Sequence, residues 1–175
     1  KLQVRHFDFF DISGATSEGG GGWVFQGSVS GYTSGGATPV TNTIDKFSFT
    51  ADGNATDVGD LTVARADATG QSSAVSGYSS GGDLSRTIDK FPFAADGNAT
   101  DVGDLLGSLG YSAGHSSTEN GYTSGGSMPA PLYFSDAIEK FPFAVDANAT
   151  DVGDLTLARN SAAGQSSTES GYASG

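Results

Sequence analysis

Three short markers recur along the chain in one fixed order. The first is Ile-Asp-Lys-Phe or Ile-Glu-Lys-Phe, at Ile44, Ile88 and Ile138. The second is Asn-Ala-Thr-Asp-Val-Gly-Asp-Leu, at Asn54, Asn98 and Asn148. The third is Gly-Tyr-x-Ser-Gly, at Gly77, Gly121 and Gly171, with an additional copy at Gly31. From the first marker to the third the interval is always 33 residues, whereas from each Gly-Tyr to the next Ile it is 13, 11 and then 17. A block that keeps its length while one connection varies is restricted to folds in which each block is one supersecondary unit stacked on its neighbours. The variable connection is then an exposed loop. Before Gly31 the pattern weakens: Val4-Arg5-His6-Phe7-Asp8-Phe9 mimics the first marker, and Trp23-Val24-Phe25 reads as another strand. The expectation is a single repeat domain with one divergent unit, 1–36, and three clear ones, 37–82, 83–126 and 127–175.

Within Ile44-Asp45-Lys46-Phe47-Ser48-Phe49 the two Phe side chains share one parity and Lys46 and Ser48 the other, the pattern of a half-buried strand. Pro92 and Pro142 interrupt the later copies between the Phe residues, which predicts a peripheral strand or a strand end. Asp52 to Asp57 and Asp96 to Asp101 carry turn chemistry, and a short strand is expected to follow at Leu61 to Ala64. No 3.6-residue apolar period persists beyond two turns, and 27 Gly punctuate the chain, so the fold class is all-β. A period in the mid-forties suits one four-stranded propeller blade per unit, with a β-solenoid as the alternative.

The order of motifs resembles kelch-type β-propeller repeats. Gly35-Gly36, Gly81-Gly82 and Gly125-Gly126 stand for the double glycine of that pattern, Phe47, Phe91 and Phe141 for its next strand, and Arg65 and Arg159 for its arginine. Gly114-His115 is a literal Gly-His, replaced by Gly70-Gln71 and Gly164-Gln165 in the sister units. Val58, Val102 and Val152 stand where that family has Trp, and Leu109 replaces the Arg of the middle unit. The resemblance implies a kelch-like propeller of about four blades. The wording of the repeats is also similar to that in long proteins of aquatic bacteriophages and environmental microbes, which implies a virion or fibre setting.

Charge and composition remove several classes. With 8 basic against 20 acidic residues the net charge is −12, and the basic residues form no cluster that could follow a phosphate backbone, so no nucleic-acid partner is expected. The absence of Cys rules out disulfides, thiolate metal sites and cysteine nucleophiles. No apolar run approaches the roughly 18 residues of a membrane span, and the first residues lack the apolar stretch of a signal peptide, so the chain reads as a processed product or a fragment.

The candidate metal site is the acidic loop Asp52, Asn54, Asp57 and Asp60, with its copies Asp96, Asn98, Asp101, Asp104 and Asp146, Asn148, Asp151, Asp154. Their closely spaced oxygens could hold Ca²⁺, the only cofactor the sequence suggests, although the spacing is not that of an EF-hand, and Asn and Asp in turns ordinarily cap backbone N–H groups. Asn54, Asn98 and Asn148 each open a glycosylation sequon. Tyr32, Tyr78, Tyr122 and Tyr172 lie beside the variable loops, either as ligand contacts or as packing between blades. His115, at a position where the sister units have Gln, reads as a hydrogen-bonding residue inside a blade. No hydrolase triad, phosphate loop or metalloprotease helix is present, and only the divergent first unit, with Arg5, His6, Asp8, Asp11 and Glu18, differs enough to host an active site.

Repetition without a unique polar constellation points to a non-enzymatic structural protein of a virion fibre, appendage or extracellular filament. It would associate with itself, through open strand edges at residues 4–12 and near Gly171. The alternative is a glycan- or protein-binding propeller module at a cell surface, with calcium assistance from the acidic loops.

Overall fold

A computed structural model describes residues 29–175. Among these the fold is all-β: thirteen strands and no helix. The strands are Ser30–Ala37 (β1), Val40–Ser48 (β2), Thr56–Asp60 (β3), Thr69–Ser72 (β4), Ser76–Ser80 (β5), Thr87–Pro92 (β6) and Thr100–Asp104 (β7). They continue with Ala113–Ser116 (β8), Asn120–Ser124 (β9), Ala137–Pro142 (β10), Thr150–Asp154 (β11), Ala163–Ser166 (β12) and Gly171–Ser174 (β13). They form four antiparallel sheets, none closed on itself: β1-β2-β3, β4-β5-β6-β7, β8-β9-β10-β11 and β12-β13. We call these sheets 1 to 4. Each is a meander in chain order; sheets 2 and 3 carry four strands of the types Gly-Gln/His-Ser, Gly-Tyr-x-Ser, Ile-Asp/Glu-Lys-Phe and Thr-Asp-Val-Gly-Asp, sheet 1 the last three types and sheet 4 the first two. A repeat can be cut at any phase, and the sheets cut it within the sequence units: residues 82 and 83 lie between β5 and β6 of one sheet.

The markers are explained by cross-strand pairs. Gly31, Gly77 and Gly121 stand opposite Phe47, Phe91 and Phe141. The Phe ring lies over the glycine so closely that a Cβ there would enter the ring. A side chain at the Gly of Gly-Tyr would therefore expel the aromatic that fills the core. Phe91 and Phe141 are buried, together with Ile44, Leu61, Ile88, Leu105, Ala99 and Ala149, in two clusters. Each cluster lies between consecutive sheets, so the core is a series of joints between sheets.

Two strand expectations are corrected. The strand after the acidic turn is Thr56–Asp60, and Leu61 to Ala64 is irregular. Thr56 and Asp57 pair with Lys46 and Asp45, a bulge follows at Gly59, and the chain then leaves the sheet so that Leu61 drops into the joint, 2% exposed. The Phe-bearing strand is interior, flanked by partners on both sides in sheets 2 and 3. Pro92 and Pro142 are tolerated because each is the last residue of its strand, beyond the final pairs to the outer strand at Lys90 and Lys140.

Candidate functional site

The acidic loops are the glue of the joints. Asp57, Asp101 and Asp151 each accept the backbone N–H two residues on, from Gly59, Gly103 and Gly153, and so shape the bulge. Asn98 and Asn148 reach the preceding sheet, their Oδ1 atoms accepting from the N–H of Asp60 (3.1 Å) and Asp104 (3.0 Å). Asp96 and Asp146 also reach back, to Lys46 and Lys90, both at 2.9 Å. Sequence reasoning had gathered these residues into one loop, and the structure gives the oxygens of Asp57, Asp96, Asn98, Asp101, Asp146, Asn148 and Asp151 separate partners, whereas Asp52, Asn54, Asp60, Asp104 and Asp154 lie on the same turns and strand ends. Among the described residues no group of three or more His, Asp or Glu is placed to hold a metal ion. Asn54, Asn98 and Asn148 are exposed.

The tyrosines divide by position. Tyr32 stacks on Phe93 at 4.9 Å and Tyr78 on Phe143 at 4.8 Å, each against the following sheet. Tyr122 is half-buried and Tyr172 exposed. His115 acts both within and between sheets: Nε2 meets Ser124 Oγ at 2.8 Å and Nδ1 meets the Gln165 carbonyl at 3.2 Å. Its counterpart Gln71 does the same toward Ser80 and Thr123. The first strands of sheets 2, 3 and 4 approach so closely that a Cβ on Gly114 would run into the Gly70 carbonyl, and one on Gly164 into Gly114.

One joint contains a buried ion pair that the repeat reading missed. The Arg65 guanidinium lies 3.1 Å from Asp89, with both side chains almost wholly buried, and Asp89 also accepts from Thr62 N–H (3.0 Å) and Thr62 Oγ1 (2.7 Å). Burial pulls Arg65 below its ordinary pKa, against the opposing pull of Asp89. At the next joint the same places hold Leu106, Leu109 and Glu139. Glu139 accepts from Leu106 N–H at 2.7 Å, and burial raises its pKa above the usual carboxylate value. The available signal was a paired change: the unit that exchanges Arg for Leu precedes the unit that exchanges Asp for Glu.

A second feature is a groove of about 480 Å³ built by the loops at one end of sheets 2 and 3. Asp67 enters from the β3–β4 connection, Asp83 and Leu84 from β5–β6, Tyr111 from β7–β8, and Tyr133 and Phe134 from the long β9–β10 connection. Tyr111, Tyr133 and Phe134 are roughly half exposed or more. Among the described residues six non-glycine residues have positive φ, and five of them line this groove: Asp67, Asp83, Leu84, Tyr111 and Tyr133. Such conformations are uncommon for side chains of this size and concentrate where a side chain must be presented. Asp67, Tyr111 and Ser161 occupy equivalent positions with φ of 58°, 57° and 56°, so one backbone geometry displays a different group in each unit. A hydrogen bond to Asp67 raises the Tyr111 phenol above its ordinary pKa, and Asp83 accepts Ala66 N–H at 2.8 Å. The groove therefore offers rings beside carboxylates. The 17-residue connection marked this region as variable in the sequence, but nothing there singled out Tyr111.

The candidate residues of the divergent first unit, Arg5, His6, Asp8, Asp11 and Glu18, lie outside the described residues, as do the expected strand at Trp23-Val24-Phe25 and the expected edge at residues 4–12. No helix among the described residues is long and apolar enough to cross a membrane. No protein-family model matches the chain, and no curated protein does.

Proposed function

We propose that this chain is a non-enzymatic structural repeat protein of a virion fibre, appendage or extracellular filament, whose sheets are blades of a propeller-like array and which associates with itself. The observation that carries the reading is the recurrence of one joint. The same Tyr–Phe stack, Lys–Asp pair and Asn cap link sheet 1 to sheet 2 and sheet 2 to sheet 3. Polar groups that would otherwise suggest ligand chemistry are used to hold neighbours, as a scaffold requires. Electron microscopy of the purified protein without added ligand tests this: regular filaments or larger assemblies support it, and discrete monomers at all concentrations refute it.

A second reading, a glycan-binding module at a cell surface, is favoured by the groove between sheets 2 and 3. Exposed Tyr rings beside Asp carboxylates match the alternating apolar and hydroxylated faces of a sugar. Binding of oligosaccharides by calorimetry, lost in Tyr133→Ala and in Tyr111→Ala, is the expected result; equal binding by both variants would dismiss the groove.

A further inference from the structure

The joint repeats, and among the described residues one half of it is left incompletely covered at each end of the series of sheets. On sheet 3, Tyr122, Ile138 and Leu155 are the counterparts of Tyr78, Ile88 and Leu105, which pack together with Phe141. Here they line a cavity of about 270 Å³ whose far wall is the chain's own β12–β13 turn and β13, from Ser167 to Gly171 and Ala173. β11 is exposed along its whole length. A Cβ on Gly153 would meet nothing within 4 Å, whereas on Gly59 or Gly103 it would run into the turn of the following sheet. Among the described residues Lys140 has no acidic partner, and the Arg159 guanidinium reaches only the carbonyls of Leu157 and Gly175.

Sheet 1 presents the other half. Phe47 is 39% exposed where Phe91 is 5% and Phe141 1%. Ala55 is exposed where Ala99 and Ala149 are buried, and Asp45 is partly exposed where Asp89 is fully buried. Asp52 and Asn54 stand exposed at the places of Asp96 and Asn98.

Taking the self-association proposed above as its premise, the geometry points to head-to-tail docking of sheet 3 of one copy on sheet 1 of a second copy. Phe47 fills the cavity beside Tyr122, Lys140 pairs with Asp52, Arg159 with Asp45, and Asn54 caps the Asp154 N–H. The side chains match in kind as well as in sign. Thr156 and Arg159 repeat Thr62 and Arg65, which take an Asp, and Asp45 is an Asp; the Glu of Glu139 belongs opposite Leu106 and Leu109. The chain's own Val4-Arg5-His6-Phe7-Asp8-Phe9 is the wrong partner. Aligned on its Phe pair it carries Arg5 where the acid belongs, and would set like charges together opposite Arg159.

Strand count agrees. Sheet 4 has two strands and sheet 1 three, and β13 and β1 are copies of one strand, Gly-Tyr-x-Ser. When β13 gives way to the second copy's β1, β12 and β1-β2-β3 make a four-stranded sheet like sheets 2 and 3. Among the described residues the outer edge of β1 has no strand partner, and it borders a groove of about 410 Å³ beside β4.

The test uses the whole chain carrying Asp45→Arg or Arg159→Ala, each spoiling one end. Both residues lie at the uncovered ends, so circular dichroism should show folded variants melting as the wild type does. In sedimentation velocity the wild type should assemble with rising concentration. Each variant alone should associate about 30-fold more weakly or worse, as for a severed interfacial charge pair. Their equimolar mixture, which retains one intact junction, should give a heterodimer and nothing longer. Because the chain has no Cys, Lys140→Cys mixed with Asp52→Cys should cross-link between copies on oxidation, a readout that does not depend on the charge variants. Variants that assemble like the wild type, or a mixture that neither dimerises nor cross-links, would overturn this interface while leaving self-association intact. A wild type that never assembles would overturn both.

Discussion

Removing Asp89 isolates the joint between sheets 1 and 2. Arg65 and Asp89 are 1% and 0% exposed. In Asp89→Ala the guanidinium keeps the Ser79 carbonyl at 2.9 Å, but its Nε and Nη1 already lack partners, and Thr62 loses the acceptor of both its N–H and its hydroxyl. Leaving one member of a buried pair uncompensated costs about 3–5 kcal/mol. That is a large share of the roughly 5–15 kcal/mol by which a domain is stable. The chain supplies its own control. Thr62→Leu, Arg65→Leu and Asp89→Glu together copy the joint between sheets 2 and 3, where no guanidinium is left unpaired and the Glu139 carboxyl accepts the Leu106 N–H, so the triple variant should lose clearly less than the single one. Urea unfolding followed by circular dichroism and by tyrosine fluorescence measures both variants, with coincident curves licensing the comparison. A loss below about 1 kcal/mol for Asp89→Ala, or a triple variant as unstable as the single one, would refute the account of the joint.

Three other outcomes follow from the same contacts. Gly114→Ala should destabilise by about 1–3 kcal/mol through overpacking against the Gly70 carbonyl, while Gly97→Ala, which has open space and a natural counterpart in Ala147, should stay within about 0.5 kcal/mol; thermal melts compare them. Tyr78→Ala should cost about 3–5 kcal/mol by chemical unfolding, and Tyr172→Ala, at an exposed copy, under about 0.5. Because burial raises the Glu139 pKa above the ordinary carboxylate value, the folded chain holds its proton to higher pH than the unfolded chain, and stability falls as pH rises from the unfolded to the folded pKa. Glu139→Gln should remove this slope and gain on the wild type toward neutral pH, measured as unfolding midpoints across a pH series.

Periodicity revealed the all-β class, the Phe-bearing strand and the exposed variable connection, because each is written in residues close together in the chain. The strand at Thr56–Asp60 was hidden by its composition, since Asp and Gly there signal a turn, and only pairing with β2 holds those residues extended. The joints were hidden by distance. Lys46 with Asp96, and Arg65 with Asp89, connect different repeats, and a list of repeated motifs does not say which copy touches which. Hence a run of acids resembled a ligand loop when its members serve separate neighbours. The groove residues were harder still: Tyr111 becomes prominent only because its positive φ aims it beside Asp67.

An array of identical joints would have no means of specifying which unit follows which. This chain has two kinds of joint, Arg with Asp and Leu with Glu, and they are not interchangeable. Placing an Asp carboxylate opposite Leu106 and Leu109 would bury it without the hydroxyl and the guanidinium that Asp89 has from Thr62 and Arg65, and placing Glu opposite Arg65 would force a longer side chain into a space already filled. Each mismatch carries a cost that the correct neighbour avoids, so the order of sheets is selected by exclusion as much as by attraction. The same rule extends past the third sheet: Thr156 and Arg159 belong to the first kind, and the surface able to receive them must present an Asp on a strand of Ile-Asp-Lys-Phe type, as Asp45 does.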